Sequence, residues 1–388
     1  MNKKIVALVK PELLIWARET SGFSIETAAI KIRIKPNILA DWESGKAPLS
    51  IAQLKKLADI YKRPLAVFFL SSAPKKFKVP HDYRKLYGEQ NKTLSPQLLF
   101  EIRRAQERRS NAIELYDLIG ENIPSFNLNA SLTDDPISLS IILRNKLGIK
   151  ISDQLGWINT YQAFNQWRLA IEKLGILVFQ TQRIPNNEMR GFSISGKQLP
   201  LIVINSADDI TPRIFSVLHE FVHLVLNDEG LCNIEDADQA IEVFCNRVAG
   251  EILVPREKLR EEQIFREVAE GKPLLENEIL KLANRFKVSR EVILRRFLIN
   301  GAISSAFYRA KRDEYLESFH KRAKMKGKKP VIIPPSVKVI ASSGKFYTGL
   351  VLKTYYQEKI TACTVSNYLD IKLKHLPKIE AAIGMDFY

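Results

Sequence analysis

Apolar residues recur every three to four positions along most of the 388-residue chain, the period of a helix that buries one face. In the first 72 residues the pattern stops and restarts repeatedly. "PELLIWARET" is amphipathic, "SGFSIETAAIKI" restarts after Gly22 with Ser24 placed as its cap, and "KPNILADWESG" ends at Gly45. "SIAQLKKLADIY" carries Ile51, Leu54, Leu57, Ala58 and Tyr61 on one face. "RPLAVFFL" opens on a proline, which suits a helix start. Five short helices in so short a span predict a compact all-α module.

"SSAPKKFKVPHDYRKL" (71–86) is polar, basic and broken by prolines, the pattern of a linker. Residues 95–121 predict one long helix with Ile102, Ala105, Ile113, Leu115 and Leu118 on its inner face. The pattern changes over 136–260. Helices are predicted at "SLSIILRNKLG" and "TYQAFNQWRLAIEKLG", and strands at "ILVFQ" (176–180) and "LPLIVIN" (199–205). "VLHEFVHLVL" (217–226) and "DADQAIEVFCNRVAGEILVP" read as two further helices, the second stopped by Pro255. Residues 275–300 are helical with a break near Val288, and "HKRAKMKGKK" (320–329) reads as a solvated basic connector. No long internal repeat and no low-complexity tract stands out. The predicted organisation is a helical domain over 1–72, a linker and long helix over 73–130, an α+β domain over 131–300, a basic connector over 301–335 and a small module over 336–388. The expected fold is therefore multi-domain and mainly α, with one α+β core.

Composition sharpens this picture. Hydrophobic residues at 46% and charged residues at 26% describe a folded chain, and no run reaches the roughly 18–20 apolar residues that span a bilayer. The short apolar run at the N-terminus is broken by Lys10, Pro11 and Glu12, which argues against a signal peptide. Three cysteines (Cys232, Cys245, Cys363) without CxxC spacing fit a reducing cytoplasm rather than a disulfide framework. A formal charge of +16 points to an anionic partner, nucleic acid first. No membrane partner is expected.

The candidate chemistry lies in "VLHEFVHLVL". Positions i and i+4 share a helix face, so His219 and His223 can point at one ion. Glu220 sits one residue round the helix, able to act as a base without being a ligand. The flanking residues are apolar, and an unpaired charge among them would be costly. A catalytic zinc site needs a third protein ligand and one open position. Asp228, Glu229, Glu235, Asp236, Asp238 and Glu242 are the downstream candidates. Glu242 stands out because it lies on the next predicted helix, with Asn246 one turn further on the same face. Position 229 is Glu, which excludes the pattern with a third histidine six residues after the second. Cys245, three residues after Glu242, could also approach the metal face. Zn²⁺ lowers the pKa of a water it binds from about 15.7 towards 7, and Glu220 would accept that proton and return it to the leaving amine. "LPLIVIN" is a candidate strand to pair with an extended substrate, and Arg190 a candidate oxyanion donor.

"PRIFSVLHEFVHLVL" followed by "AIEVFCNRVAGEILVP" resembles the ImmA/IrrE family of zinc metallopeptidases, and the likeness runs through "AFNQWRLAIEKLGILVFQ" and "MRGFSI". It implies a zincin-like core in which His219, His223 and Glu242 hold Zn²⁺, Glu220 is the catalytic base and Asn246 supports the site. Members cleave or antagonise transcriptional repressors, which implies a repressor or regulator as protein substrate. Residues 11–70 resemble the Xre-type, lambda-repressor-like helix-turn-helix, with Trp42, Glu43 and Gly45 matching its W-E-x-G signature. That likeness implies operator DNA as a partner, with Lys35, Asn37, Ile38 and Asp41 facing the bases and Trp42 in the core. Such folds often begin their second helix with a glutamine that holds DNA. Here Ile25 and Glu26 stand there, and a carboxylate repels phosphate. The whole layout resembles long ImmA/IrrE proteins encoded beside toxins, several of them called antitoxins. It implies an alternative role as a DNA-binding regulator or antitoxin that recognises a cognate toxin.

Overall fold

The computed structural model describes residues 5–74, 94–226, 235–325 and 333–384. The chain divides into two compact units, Met1–Glu107 and Arg108–Tyr388. The first begins with α1 (Pro11–Glu19), α2 (Ile25–Ile32), α3 (Pro36–Glu43) and α4 (Ile51–Tyr61). Where a fifth helix is expected, Leu65–Phe69 forms a 3-10 stretch. Local chemistry explains the starts. Ser24 accepts a hydrogen bond from the Thr27 amide, and Ser50 and Gln53 form a reciprocal capping box. Leu14, Ala28, Leu39, Trp42, Leu57 and Tyr61 share one apolar core.

Each W-E-x-G residue has a structural task. Trp42 is buried in that core. Glu43 receives two hydrogen bonds from Arg18 Nε, at 2.8 and 3.1 Å, and one from Nη2 at 3.0 Å, which ties α3 to α1. Gly45 lies just past the end of α3 at φ +74°, a conformation that side chains disfavour. Most of the stretch read as a linker falls on residues 75–93, outside the described residues.

Helix α5 (Pro96–Ile119) starts in the first unit and matches the predicted long helix. The second unit continues with α6 (Pro136–Leu147), α7 (Ile151–Gly156) and α8 (Thr160–Glu172). Strands β1 (Leu177–Thr181), β2 (Gly191–Ile194) and β3 (Leu201–Asn205) follow, then α9 (Ile210–Leu226) and α10 (Glu235–Leu253). The sheet order is β1-β3-β2, with β3 parallel to β1 and antiparallel to β2. Side chains alternate across a strand. Val178, Ile202 and Ile204 accordingly enter the core that holds Phe164, Trp167, Val217 and Phe221 of α8 and α9.

Helices α11 (Arg256–Glu261), α12 (Gln263–Ala269), α13 (Glu276–Phe286) and α14 (Arg290–Ile299) complete that core. The break near Val288 is the turn between α13 and α14, where Lys287 takes φ +58° and Ser289 caps the next helix. Helix α15 (Ser305–Met325) precedes α16 (Pro335–Ser343), α17 (Lys345–Tyr356), α18 (Ala362–Leu369) and α19 (Leu376–Ile383). Helix α15 occupies most of the stretch expected to be a basic connector (301–335), and residues 326–332 lie outside the described residues.

The C-terminal helices cover the second face of the sheet. Helix α16 packs along β1, and Phe179 meets Tyr347 of α17 edge-on at 5.7 Å between ring centres. Arg168 of α8 is fully buried, pairs with Glu172 at 3.0 Å and donates to the carbonyls of Ile340 and Ala341 at the end of α16. The Ile340 carbonyl also accepts from the Gly344 amide at 3.0 Å, while Ala341 is among the last carbonyls, which a helix end leaves without an internal partner. No helix among the described residues is long and apolar enough to cross a membrane.

Candidate metal centre

Helices α9 and α10 pack side by side, and their facing surfaces carry the polar cluster. The apolar residues of α9 fix its rotation. Val217, Leu218, Phe221, Val222, Leu224 and Val225 are buried, so the remaining stripe, His219 and His223, faces α10. The last turn of α10 is held by buried donors. Arg144 Nη1 bonds the Ile252 carbonyl at 2.5 Å, Gln154 Nε2 the Leu253 carbonyl at 2.9 Å, and Arg296 Nε the Val254 carbonyl at 2.9 Å. Arg296 also pairs with Glu251 of α10 at 2.6 Å, with both side chains buried. The far end of α10 is thereby pinned to α6, α7 and α14, and Glu242 is carried to the face of α9.

Three donor atoms converge there. His219 Nε2 and His223 Nε2 are 3.0 Å apart. The Glu242 oxygens lie 3.3 Å from His219 Nε2 and 3.2 Å from His223 Nε2. Ligands at 2.0–2.1 Å around a tetrahedral ion stand about 3.3–3.4 Å from one another. The cluster fits a metal ion in donor type and in spacing, and it is the one such group of His, Cys, Asp and Glu among the described residues. Glu242 is 49% exposed, so the cluster opens to solvent on the α10 side. The His219 ring stacks on Phe215, and its buried Nδ1 has no partner among the described residues.

Glu220 is set apart from the three. It is 7% exposed, and its Oε2 accepts a hydrogen bond from Ser193 Oγ of β2 at 2.9 Å. Burial pushes its carboxyl above the ordinary value, against the pull of His223 and His219. Gly191, also on β2, backs onto the same side chain. A Cβ there would stand 3.1 Å from Glu220 Oε1 and 3.0 Å from Ile204, so only glycine leaves Glu220 undisturbed. His223 holds its proton more tightly than a free imidazole. Burial opposes its charge, but the neighbouring Cys245 and Glu242 outweigh it.

Other sequence candidates fall elsewhere. Cys245 is buried beside His223 but is not one of the converging donors. Asp228, Glu229 and Cys232, and the side chains of Glu235, Asp236 and Asp238, lie outside the described residues. Asn246 is half-buried one turn beyond Glu242. The Arg190 side chain is 64% exposed and lies 3.9 Å from Asp208. "LPLIVIN" cannot receive a substrate strand as expected, because β3 is the central strand and both of its edges are taken. The edge next to Glu220 belongs to β2, which the sequence reading did not identify as a strand. Its four residues are too few for alternation to register, and no pattern connects Ser193 to a residue 27 positions away.

In the N-terminal unit, Lys35, Asn37 and Ile38 are exposed at the start of α3, and Asp41 is half-buried one turn on. Here Arg33 takes φ +62° between α2 and α3, a left-handed turn that sets the second helix across the first.

Comparison with known protein families agrees with both halves. Residues 171–298 match the IrrE N-terminal-like domain of peptidase family M78, and residues 14–68 match a helix-turn-helix family. No curated protein matches the chain. The chain thus combines an N-terminal helix-turn-helix domain with a metallopeptidase-type domain of the IrrE-like kind.

Proposed function

We propose that this protein is a zinc-dependent endopeptidase that is directed to operator DNA by its helix-turn-helix and cleaves a transcriptional repressor or regulator. The observation that carries this reading is the convergence of His219, His223 and Glu242 at 3.0–3.3 Å beside a carboxylate that is not one of the three. Three protein donors leave one tetrahedral position open, the mark of a catalytic rather than a structural site. When bound, the zinc ion supplies a Lewis acid for the scissile carbonyl and makes water acidic enough to lose a proton near neutral pH.

The protein's own groups do the rest. Glu220 takes the proton from the attacking water and later gives it to the departing amine. Burial raises its proton affinity above that of a free carboxylate, which favours taking the proton from water. Ser193 Oγ holds Oε2, so the carboxyl keeps one orientation through both transfers. The edge of β2 takes an extended substrate by strand addition, which sets the scissile bond near Glu220. In the other unit Lys35, Asn37, Ile38 and Asp41 form the face presented to the major groove.

The test is cleavage of a proteome-derived peptide library, read by mass spectrometry, by wild type and Glu220→Gln at equal zinc content. The variant is expected to lose at least about 100-fold in rate. Equal cleavage by both proteins would refute Glu220 as the base.

A further inference from the structure

The last helix pair shares the cap and turn of the first unit's helix-turn-helix, although α18 packs mainly on α17 and α19 mainly on α16, where α2 packs directly on α3. In α2, Ser24 accepts from the amide of Thr27, and the two hydroxyls lie 3.0 Å apart. In α18, Thr361 accepts from the amide of Thr364, with the hydroxyls again 3.0 Å apart. Both helices have eight residues, and both end on a left-handed residue, Arg33 at φ +62° and Asp370 at φ +54°. The closing hydrogen bonds are the same as well. The Ile34 amide reaches back to the Ala29 carbonyl and the Ile371 amide to the Ser366 carbonyl, each at 3.0 Å. An extended lysine follows in each, Lys35 at ψ +145° and Lys372 at ψ +134°.

The second helix then begins, with one 3-10 turn, Leu373–His375, ahead of α19 in the tail. Burial agrees in part. Ala28, Ile32 and Trp42 are buried in the first pair, and Val365, Leu369 and Ile379 at the matching positions are buried too, whereas the buried Ala29 and Leu39 are matched by the half-buried Ser366 and Leu376. Only Thr, Ile, Lys, Leu and Glu recur at matching places (27, 34, 35, 39 and 43 against 364, 371, 372, 376 and 380), so the sequence alone does not display the repeat.

The faces differ in charge. The positions matched to Asn37 and Asp41 hold Lys374 and Lys378, and Glu26, which repels phosphate in the first pair, is matched by Cys363. Lys372, Lys374 and Lys378 are all exposed, and none forms an ion pair among the described residues. The left-handed turn itself also occurs between α13 and α14. There, however, Arg290 at the start of the second helix is bound to Glu276. Three unpartnered cations on the outer face of a helix-turn-helix are a phosphate-contacting set.

We propose that α18–α19 is a second helix-turn-helix that binds duplex DNA, with Lys372, Lys374 and Lys378 on its phosphates. The class of partner rests on reading α2–α3 as DNA-binding, while the surface itself does not.

The experiment uses the full chain and a fluorescent mixed-sequence duplex, with anisotropy measured across a salt series. Two variants are compared with wild type: Lys372→Glu/Lys374→Glu/Lys378→Glu, and Lys35→Glu/Asn37→Asp. Circular dichroism checks the fold, and a triple Lys→Gln variant replaces the charge reversal if that one melts. The tail variant is expected to bind at least about tenfold more weakly, with the slope of log K against log salt reduced by about 2–3. An unchanged affinity and slope in the tail variant, with binding lost in the α3 variant, would overturn the proposal and leave the first reading standing. The reverse pattern would support the proposal and remove the first reading. Absence of duplex binding by wild type would overturn both. A tail variant impaired towards single-stranded RNA or anionic vesicles but not towards duplex DNA would overturn the proposal alone.

Discussion

The α2–α3 pair and the α9–α10 pair carry their recognisable residues for opposite reasons. In the first, W-E-x-G marks the scaffold. Trp42 fills the core, Glu43 binds Arg18 and Gly45 makes a turn, while the exposed residues Lys35 and Asn37 belong to no fixed pattern. In the second, HExxH marks the proposed site itself. His219 and His223 meet Glu242, and the scaffold is made by residues that no motif names, such as Arg144, Gln154 and Arg296. A recognisable motif therefore reports fold in one unit and, on the proposed function, chemistry in the other. Mutations should separate stability from function in opposite ways.

The largest effect on stability is expected at an unnamed scaffold residue. Arg296→Met leaves Glu251 buried without its partner and the Val254 carbonyl uncapped. Removing one member of such a pair costs about 3–5 kcal/mol. Chemical denaturation should show that loss in the second unit, and a midpoint equal to wild type would mean α10 is anchored otherwise. Within the motif, Glu43→Gln should cost about 2 kcal/mol, because Arg18 keeps its charge and loses a charged acceptor. Hydrogen exchange in α1 and α3 would read it. Lys35→Ala in the same unit should leave exchange unchanged.

Motif residues of α9 should behave in the reverse manner. Glu220→Gln removes a carboxylate whose charge burial disfavours, so thermal stability should hold or rise while cleavage fails. The smallest effect is expected at Ser193→Ala, which frees Glu220 Oε2 from its one hydroxyl donor. A loss of about 1 kcal/mol, near fivefold, should fall on kcat rather than KM. A change confined to KM would mean Ser193 serves substrate binding instead.

Local signals were legible in the sequence and tertiary ones were not. The break near Val288 showed because a helix must pause where Lys287 turns left-handed, and apolar period located α9 and α10. Strand order is not written in periodicity, so β3 looked available to a substrate although it lies between β1 and β2. The expected fifth helix became a 3-10 turn, a difference that apolar spacing over five residues cannot express. The caps on α10 come from residues as far as 108 positions away, and the tail repeat is carried by turn geometry more than by residue identity.

His219, His223 and Glu242 should together hold one ion, and Glu220 should take no part in holding it. Metal content per chain, measured by mass spectrometry after dialysis against zinc, decides between these roles. One zinc per chain is expected in wild type and in Glu220→Gln, with loss in His223→Ala and Glu242→Ala. Full zinc content in Glu242→Ala would remove Glu242 as a ligand, and its loss in Glu220→Gln would make Glu220 one.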